Sequence, residues 1–320
     1  MGGTAEVRVV TPEGILVSGV STFLDRLRPQ LKESLRAFYS FRKSPIAMFG
    51  LVIILAFLFI ALFAPLLAPP EAGQKNVFEM RFNVAEEYFP PREGHPFGQT
   101  YIGMDIYYGV VWGSRISMRI GLEVVIISLI IGSLTGLGAG YYGRWIDEAL
   151  MRVTDVFFGV PSLILAMAII ISLGPSLENL VLALVIVGWP SYARLVRGVA
   201  LTVKTTLYVE AARASGTPTW RILLRHVFPN TLSPLLVQST LDVGSVVLTA
   251  AGLSFIGFSF AGITTTEWGQ MVQLGQRAFG ANTAIWWPVV FPGLFIFLFV
   301  LGFNMLGDGL RDVLDPRLRR

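Results

Sequence analysis

Six long apolar runs constrain this chain more than any other feature of its sequence. Each is close to the length that crosses a bilayer as a helix. Charged residues make up only 14% of the 320 residues, whereas a soluble domain carries about 25%. We therefore predict an all-α integral membrane protein with six transmembrane helices, at residues 46–68, 116–141, 149–173, 176–193, 232–258 and 285–306.

The distribution of basic residues predicts the orientation of these helices. Of the 25 Lys and Arg residues, 19 fall in segments 1–45, 141–152, 193–231 and 307–320, and five fall in 69–115, 172–178 and 258–286. Because cytoplasmic segments carry the excess of positive charge, we place both termini in the cytoplasm. The chain then divides into the following parts: a cytoplasmic tail (1–45), a first transmembrane helix (46–68), an extracytoplasmic segment (69–115), a five-helix core (116–308) with a cytoplasmic loop (193–231), and a cytoplasmic tail (309–320).

The N-terminal tail has apolar residues between its basic positions. Their spacing of three or four residues predicts a helix on the membrane surface, with a solvated basic tail as the alternative, and they are Phe23, Leu27, Leu31, Leu35 and Phe38.

Several classes of protein are disfavoured by what the sequence lacks. There is no cysteine and no cluster of metal ligands around the two histidines, so we expect neither a metal site nor catalytic residues. The chain has no GxxxxGK[ST] run and therefore no P-loop for ATP. Its basic residues flank the membrane runs, which argues against a nucleic-acid partner.

The cytoplasmic loop contains two short predicted helices. The first covers 208–214, is rich in Ala, and ends at Gly216, a residue suited to a left-handed stop. We expect Thr217 to cap a second helix that starts at Pro218 and ends at Pro229 and Asn230. Its apolar stripe would consist of Trp220, Leu223, Leu224, Val227 and Phe228. The pair is either a docking element for a partner or an ordinary helical hairpin.

The residues EAARASG and RHVFPN in this loop resemble the EAA loop of ABC-importer permeases. Glu210, Ala211, Ala212, Gly216 and Pro229 occupy the motif positions. His226 and Phe228 depart from the general pattern, and the Arg-His pair before the final Pro is similar to the dipeptide, oligopeptide and nickel branch of the family.

Three further stretches are similar to the second, C-type permease of such systems. They are FRKSPIAMFGLVIILAFLFIALFAPLLAP, HPFGQTYIGMDIYYGVVWGSRISMRIGL and FPGLFIFLFVLGFNMLGDGLRDVLDPR. In the second stretch Thr100 and Met104 stand where the family usually has Asp and Arg, and Asp105 is retained.

The resemblance implies a type I ABC importer permease (MetI-like) fold in the cell inner membrane. It implies a second homologous permease, two ATPase subunits that bind ATP and Mg, an extracytoplasmic solute-binding protein and membrane lipid as partners. The ATPase would dock on the first short helix, through Glu210, Ala211, Ala212, Ala214, Ser215 and Gly216. Peptides are the expected substrates, with oligosaccharides or nickel chelates as alternatives. A secondary transporter and a membrane scaffold are the rival classes.

Polar residues inside the predicted fifth helix share one face. Gln238, Asp242, Ser245 and Thr249 follow one another at spacings of four, three and four residues. Because ionisable groups in a span are costly, we interpret this face as part of the translocation path, or as a stripe packed against the second permease. Two further expectations concern packing: the GxxxG spacings of Gly132, Gly136 and Gly140 predict close helix contact, and Trp268, Trp286 and Trp287 are expected at the membrane interface, with Trp268 as a possible substrate contact.

Overall fold

The computed structural model describes residues 39, 41–71, 74, 76–81, 83, 87–258 and 264–314. The surface helix expected around Phe23 to Phe38 lies outside these residues, and so does the end of the C-terminal tail. The helices are α1 (Pro45–Leu62), α2 (Ala64–Leu67), α3 (Ile106–Tyr142), α4 (Arg144–Phe158), α5 (Ser162–Leu173), α6 (Leu177–Val203), α7 (Leu207–Ala214), α8 (Thr219–Ile222), α9 (Phe228–Ile256), α10 (Trp268–Ala281) and α11 (Trp287–Leu314).

The spans agree with the predicted all-α membrane architecture. Five helical stretches in the described residues are long and apolar enough to cross a membrane: α1, α3, α6, Thr219–Ile256 and α11. The pair α4 and α5 is bent by 85° at residues 159–161 and makes a sixth span if the two halves are counted together. The single helix predicted at 149–173 is therefore broken, at Pro161, which cannot donate an N–H to a continuous helix.

The helix α3 begins ten residues before the predicted start of the second span. The side chain of Asp105 caps it by accepting a hydrogen bond from the N–H of Tyr108 at 3.2 Å. Polar groups in the first turns are satisfied by the preceding helices: Trp112 Nε1 donates to the carbonyl of Ala68, and the guanidinium of Arg115 donates to carbonyls at the end of α1. Because these polar groups are hydrogen-bonded, the first turns of α3 can lie inside the helix bundle although the sequence placed them outside a span.

The glycines spaced as GxxxG on α3 pack against α6. A Cβ atom on Gly136 would lie 2.5 Å from the carbonyl oxygen of Ala193, and one on Gly140 would lie 2.7 Å from the Cβ of Ala200. Both distances are shorter than any stable contact, so only glycine permits this approach. The predicted close packing is thus present, and it joins two helices of the same chain.

The segment 258–286, which we expected to be a simple outer connection, contains the helix α10. Its N-cap is the buried Glu267, whose carboxylate accepts hydrogen bonds from the N–H groups of Gly269 and Gln270 at 2.9 and 2.7 Å. Burial raises the pKa of the Glu267 carboxyl above its usual range, although these two donors oppose the rise.

Trp268, the first residue of α10, is fully buried, and its Nε1 donates to the carbonyl of Val110 at 3.0 Å. It packs among Phe57, Phe295 and Phe299. The expectation that Trp268 lies at the membrane interface or contacts substrate is therefore wrong, because the ring belongs to the core. Trp287 is also buried, whereas Trp286 remains 43% exposed.

The loop predicted to be cytoplasmic is shorter than expected. The helix α6 continues past Pro190 to Val203, and the next transmembrane helix is continuous from Thr219. Only α7 and two short connections remain between them, so the predicted loop 193–231 includes the ends of two long helices.

Candidate coupling and translocation sites

The helix α7 carries the predicted docking residues and ends where the sequence predicted. Gly216 has a φ of +75°, in the left-handed region. Its N–H donates to the carbonyl of Arg213 at 3.0 Å, and the N–H of Thr217 donates to the carbonyl of Ala212 at 3.1 Å. These two bonds form a Schellman ending, which satisfies the last carbonyls and turns the chain sharply.

Six of the eight residues of α7 are exposed, and the helix faces the protein core through Val209 and Ala212. Leu207 is 84% exposed and Val209 is fully buried. We call four exposed residues of this helix, Leu207, Glu210, Ala211 and Ala214, the coupling face. Ser215 and Gly216 extend the exposed surface, whereas Ala212 packs against the protein core. Five of the six residues predicted for coupling are thus exposed together, and Ala212 is not.

Side chains of α7 outside the coupling face contact two long helices. The ring of Tyr208 lies 6.0 Å from that of His226, and its hydroxyl accepts a hydrogen bond from Asn230 at 3.4 Å. The guanidinium of Arg213 lies 5.6 Å from the ring centre of Tyr141, at the end of α3. A displacement of α7 would therefore act on the start of α9 and on the end of α3.

The second predicted helix of the loop differs from expectation in three ways. Pro218 is the N-cap rather than the first helical residue, and the Thr217 side chain makes no capping bond. Pro229 does not end the helix, because Leu223–Val227 form a π-helical segment that leads directly into α9. The predicted stripe is partly right: Val227 is buried and Leu223 and Phe228 pack against the core. Trp220 and Leu224 are exposed instead, and Ile222, which the stripe omitted, is buried.

The π-helix explains this error in the stripe. A π-helix has more residues per turn than an α-helix, so residues five apart align along it instead of residues three or four apart. Ile222 and Val227 are five apart and both face the core. A search with the α-helical period therefore includes the exposed Leu224 and omits the buried Ile222.

The polar face of α9 forms as predicted. The amide of Gln238 donates to the Asp242 carboxylate at 2.9 Å. The hydroxyl of Ser245 donates to the backbone carbonyl of Asp242, and that of Thr249 donates to the carbonyl of Ser245. The two hydroxyls are thus satisfied by their own helix, and Asp242 is the charged group of the face.

Asp242 and Ser245 line a cavity of about 420 Å³. Its other walls come from α3, from the break between α4 and α5, and from α6, and include Ser128, Pro161 and Tyr192. Gln238 and Thr249 lie on the same helix face but outside the cavity lining. Tyr192 was not predicted to line the path, because the sequence pattern ends this span at residue 193 and so places Tyr192 at its edge. Pro190, within the span and two residues before Tyr192, was the available signal for an irregular, functional stretch.

Two ion pairs join α4 to α6 in the described residues. Asp147 pairs with Arg197, and Asp155 pairs with Arg194. The ammonium group of Lys204 also donates to the carbonyl of Gly140, at 2.7 Å. Before α3, the carboxylate of Asp105 lies 2.8 Å from Nδ1 of His95 and thus has a partner within this stretch. Among the described residues, no group of three or more His, Asp or Glu side chains could hold a metal ion.

Comparison with known protein families identifies the chain. The family described as "Binding-protein-dependent transport system inner membrane component" matches residues 129–320, which is more than half of the sequence. The chain belongs to this family. A second match, to the "N-terminal TM domain of oligopeptide transport permease C", covers residues 34–91 and places the permease in the OppC type.

Curated relatives align with almost the whole permease. The dipeptide transport system permease protein DppC of Alkalihalophilus pseudofirmus is 41% identical over 88% of this chain and 90% of its own length. The oligopeptide transport system permease protein OppC of Bacillus subtilis is 36% identical over 89% of this chain and 90% of its own. The probable D,D-dipeptide transport system permease protein DdpC of Escherichia coli is 41% identical over 86% and 88%.

A solved structure supports the fold of the permease. A chain of the MetNI methionine ABC transporter, in an inward-facing conformation, aligns with a TM-score of 0.51 at 20% identity and covers 64% of this chain and 96% of that one. The expected MetI-like fold is confirmed. The protein is a multi-pass inner-membrane permease subunit of an ABC importer and not an enzyme. Its family implies a binding protein, an ATPase and a partner permease. The secondary-transporter and scaffold alternatives no longer apply.

Proposed function

We propose that this permease forms half of a peptide translocation path and that an ATPase drives it through the coupling face. The observation that carries the proposal is the two-sided character of α7: one side is exposed, and its other side chains contact α3 and α9. In the proposed assembly, two ATPase subunits bind ATP and Mg, a second homologous permease forms the other half of the path, and lipid surrounds both permeases. The binding protein delivers solute at the extracytoplasmic side, and both termini lie in the cytoplasm.

The chemistry of the coupling face suits a docking helix. Ala211 and Ala214 allow the surface of a partner to approach the helix backbone closely. Leu207 offers an apolar contact that the chain itself leaves exposed. Glu210 lies in the first turn, where the helix dipole favours a negative charge. An ATPase groove that holds these residues would move α7 as a rigid unit, because its Schellman ending and the buried Val209 fix it to the bundle.

The translocation path would follow the polar face of α9. Gln238, Asp242, Ser245 and Thr249 share this face. The N-terminal end of the helical stretch that carries them begins at Thr219, shortly after α7 in the chain. A force on α7 would therefore act on the same helix that carries Asp242. This continuity gives a mechanical route from the ATPase to the path.

Peptides are the substrates that we favour. The curated relatives at 35–41% identity include permeases named for dipeptides, oligopeptides and glutathione. Oligosaccharides and nickel chelates remain the alternatives, and binding assays with the cognate binding protein distinguish the three classes.

Charge reversal on the coupling face tests the proposal. The Glu210→Lys variant is reconstituted with the ATPase, the partner permease and the binding protein, and peptide-stimulated ATP hydrolysis is measured. We expect a loss of about tenfold, because a reversed charge in a complementary interface is repelled by its partner. Glu148→Lys is the control, since Glu148 is also exposed but lies on α4. Unchanged hydrolysis by Glu210→Lys would contradict a docking role for α7.

A further inference from the structure

The cavity beside Asp242 has the size and lining of a small-solute site. Its volume of about 420 Å³ lies within the range of ligand pockets, roughly 300–1,000 Å³. The walls are apolar except for a few groups, and Asp242 is the one carboxylate among the described residues that line it. An apolar cavity with few polar groups is typical of sites that bind and orient a small molecule.

The carboxylate of Asp242 lacks a basic partner in the described part of the chain. Its surroundings are neutral: Gln238 donates one hydrogen bond at 2.9 Å, and the nearby hydroxyl of Tyr192, which also lines the cavity, has no hydrogen-bond partner among the described residues. No Lys, Arg or His of the described residues forms an ion pair with it. A carboxylate inside a span is costly and is normally paired or functional. The arrangement therefore leaves the Asp242 carboxyl group without a counter-ion among the described residues.

A second polar group in the cavity wall is unused. Ser128 on α3 is 1% exposed, and its hydroxyl has no hydrogen-bond partner among the described residues. Gly188 stands opposite, and a Cβ atom there would lie 3.1 Å from the Ser128 oxygen. Buried hydroxyls are almost always bonded, so this one has capacity for a ligand.

We propose that this cavity binds the protonated α-amino group of a peptide in transit, with Asp242 as the counter-ion and Ser128 as a further hydrogen-bonding group. The inference rests on the proposed function of peptide transport and names the part of the peptide that is recognised. An ammonium group matches a carboxyl group that has only neutral neighbours, because it supplies the missing positive charge and N–H donors. The carboxylate end of a peptide would be repelled from the same position.

The test combines one substitution with one change in the substrate. Uptake of dialanine and of N-acetyl-dialanine is measured in vesicles that contain the whole transporter, with each peptide loaded onto the binding protein to the same occupancy. Asp242→Asn is expected to lower dialanine uptake by about tenfold, because a charge-assisted hydrogen bond is replaced by a neutral one. N-acetyl-dialanine has no ammonium group, so its uptake should change less than about twofold by the same reasoning.

Two controls distinguish recognition of the ammonium group from a role of Asp242 in assembly. Glu123→Gln makes the same type of change at a partly exposed carboxylate on α3 and should leave both rates unchanged. Co-purification of the ATPase with Asp242→Asn shows whether assembly persists. If Asp242 instead pairs with a basic group of the second permease, both peptides lose uptake equally, and the inference is overturned. It is also overturned if dialanine uptake is unchanged. If wild-type vesicles show no ATP-dependent uptake of either peptide, the proposed function itself has failed.

A chemical-modification experiment tests the contact between the peptide and Asp242 without delivery of the peptide by the binding protein. The purified permease–ATPase complex is treated with dicyclohexylcarbodiimide, and modification of Asp242 is followed by mass spectrometry. Millimolar dialanine should protect the carboxylate, and N-acetyl-dialanine should not. Equal protection by both peptides, or by neither, contradicts recognition of the ammonium group.

Discussion

The guanidinium of Arg197 on α6 forms two hydrogen bonds with the carboxylate of Asp147 on α4, at 2.5 and 2.7 Å. Arg197 lies ten residues before the start of α7, and the pair joins α6 to the first half of the broken span. Because the last residues of α4 line the cavity that contains Asp242, this contact connects α6 to a helix of the cavity wall.

Loss of the Asp147–Arg197 pair should destabilise the permease. Asp147→Asn leaves the partly buried guanidinium without its charged acceptor, at a cost of about 1–3 kcal/mol. Thermal unfolding of the purified complex measures the effect. Asp155→Asn is the matched control: both members of the Asp155–Arg194 pair are about half exposed, so its loss should cost about 0–1 kcal/mol. An equal decrease in unfolding temperature for the two variants would contradict the larger contribution that we assign to the Asp147–Arg197 pair.

Close packing between α3 and α6 should tolerate a methyl group at one glycine and not at another. Gly136→Ala places a Cβ 2.5 Å from a backbone oxygen, and we expect overpacking to cost about 1–3 kcal/mol. Gly138→Ala, on the same helix, meets nothing closer than 3.8 Å and should be neutral or slightly stabilising. Each variant is heated in detergent, and size-exclusion chromatography then measures how much folded protein remains.

The sequence could predict that these glycines lie in a contact but not which helix they meet. Spacing along one helix is a local property, whereas the partner is determined by the tertiary arrangement. The same limit applies to the cavity. Helix geometry predicts that Gln238 to Thr249 share one face, but the other walls of the cavity come from three other elements, which local spacing does not reveal. Tyr192 was missed because Pro190, Arg194 and Arg197 read as the end of a span. Pairing of Arg197 with Asp147, fifty residues away, lets the helix continue.

Trp268 should be essential for folding rather than for transport. The ring is fully buried, so Trp268→Ala removes a core side chain, at a cost of about 3–5 kcal/mol. We expect little folded protein in the membrane fraction. Trp286→Ala is the control, since that ring is 43% exposed, and it should retain normal yield. Normal yield together with altered substrate preference for Trp268→Ala would restore the substrate-contact interpretation that the structure rejects.

Replacement of Gly216 by any residue with a Cβ should be harmful because of its backbone conformation alone. A Cβ at this position would meet no atom within 4 Å, but the φ of the residue is +75°, and a left-handed residue with a Cβ costs about 1–2 kcal/mol. Gly216→Ala should therefore loosen the end of α7 and reduce coupled ATP hydrolysis. Gly198→Ala also has open space, but it lies inside α6 without a positive φ, and it should leave hydrolysis unchanged. Reduced activity in both variants would point to a cause other than strain.

The central claim, that an ATPase docks on the coupling face, is tested most directly by cysteine cross-linking. The native chain has no cysteine, so a single introduced thiol reports one position. Cysteine at Ala211 or Ala214, which are exposed, should form a disulfide with cysteines placed along the ATPase groove. Cysteine at Ala212, which packs against the core, should not. Equal cross-linking at all three positions, or cross-linking at Ala212 alone, would contradict the docking geometry.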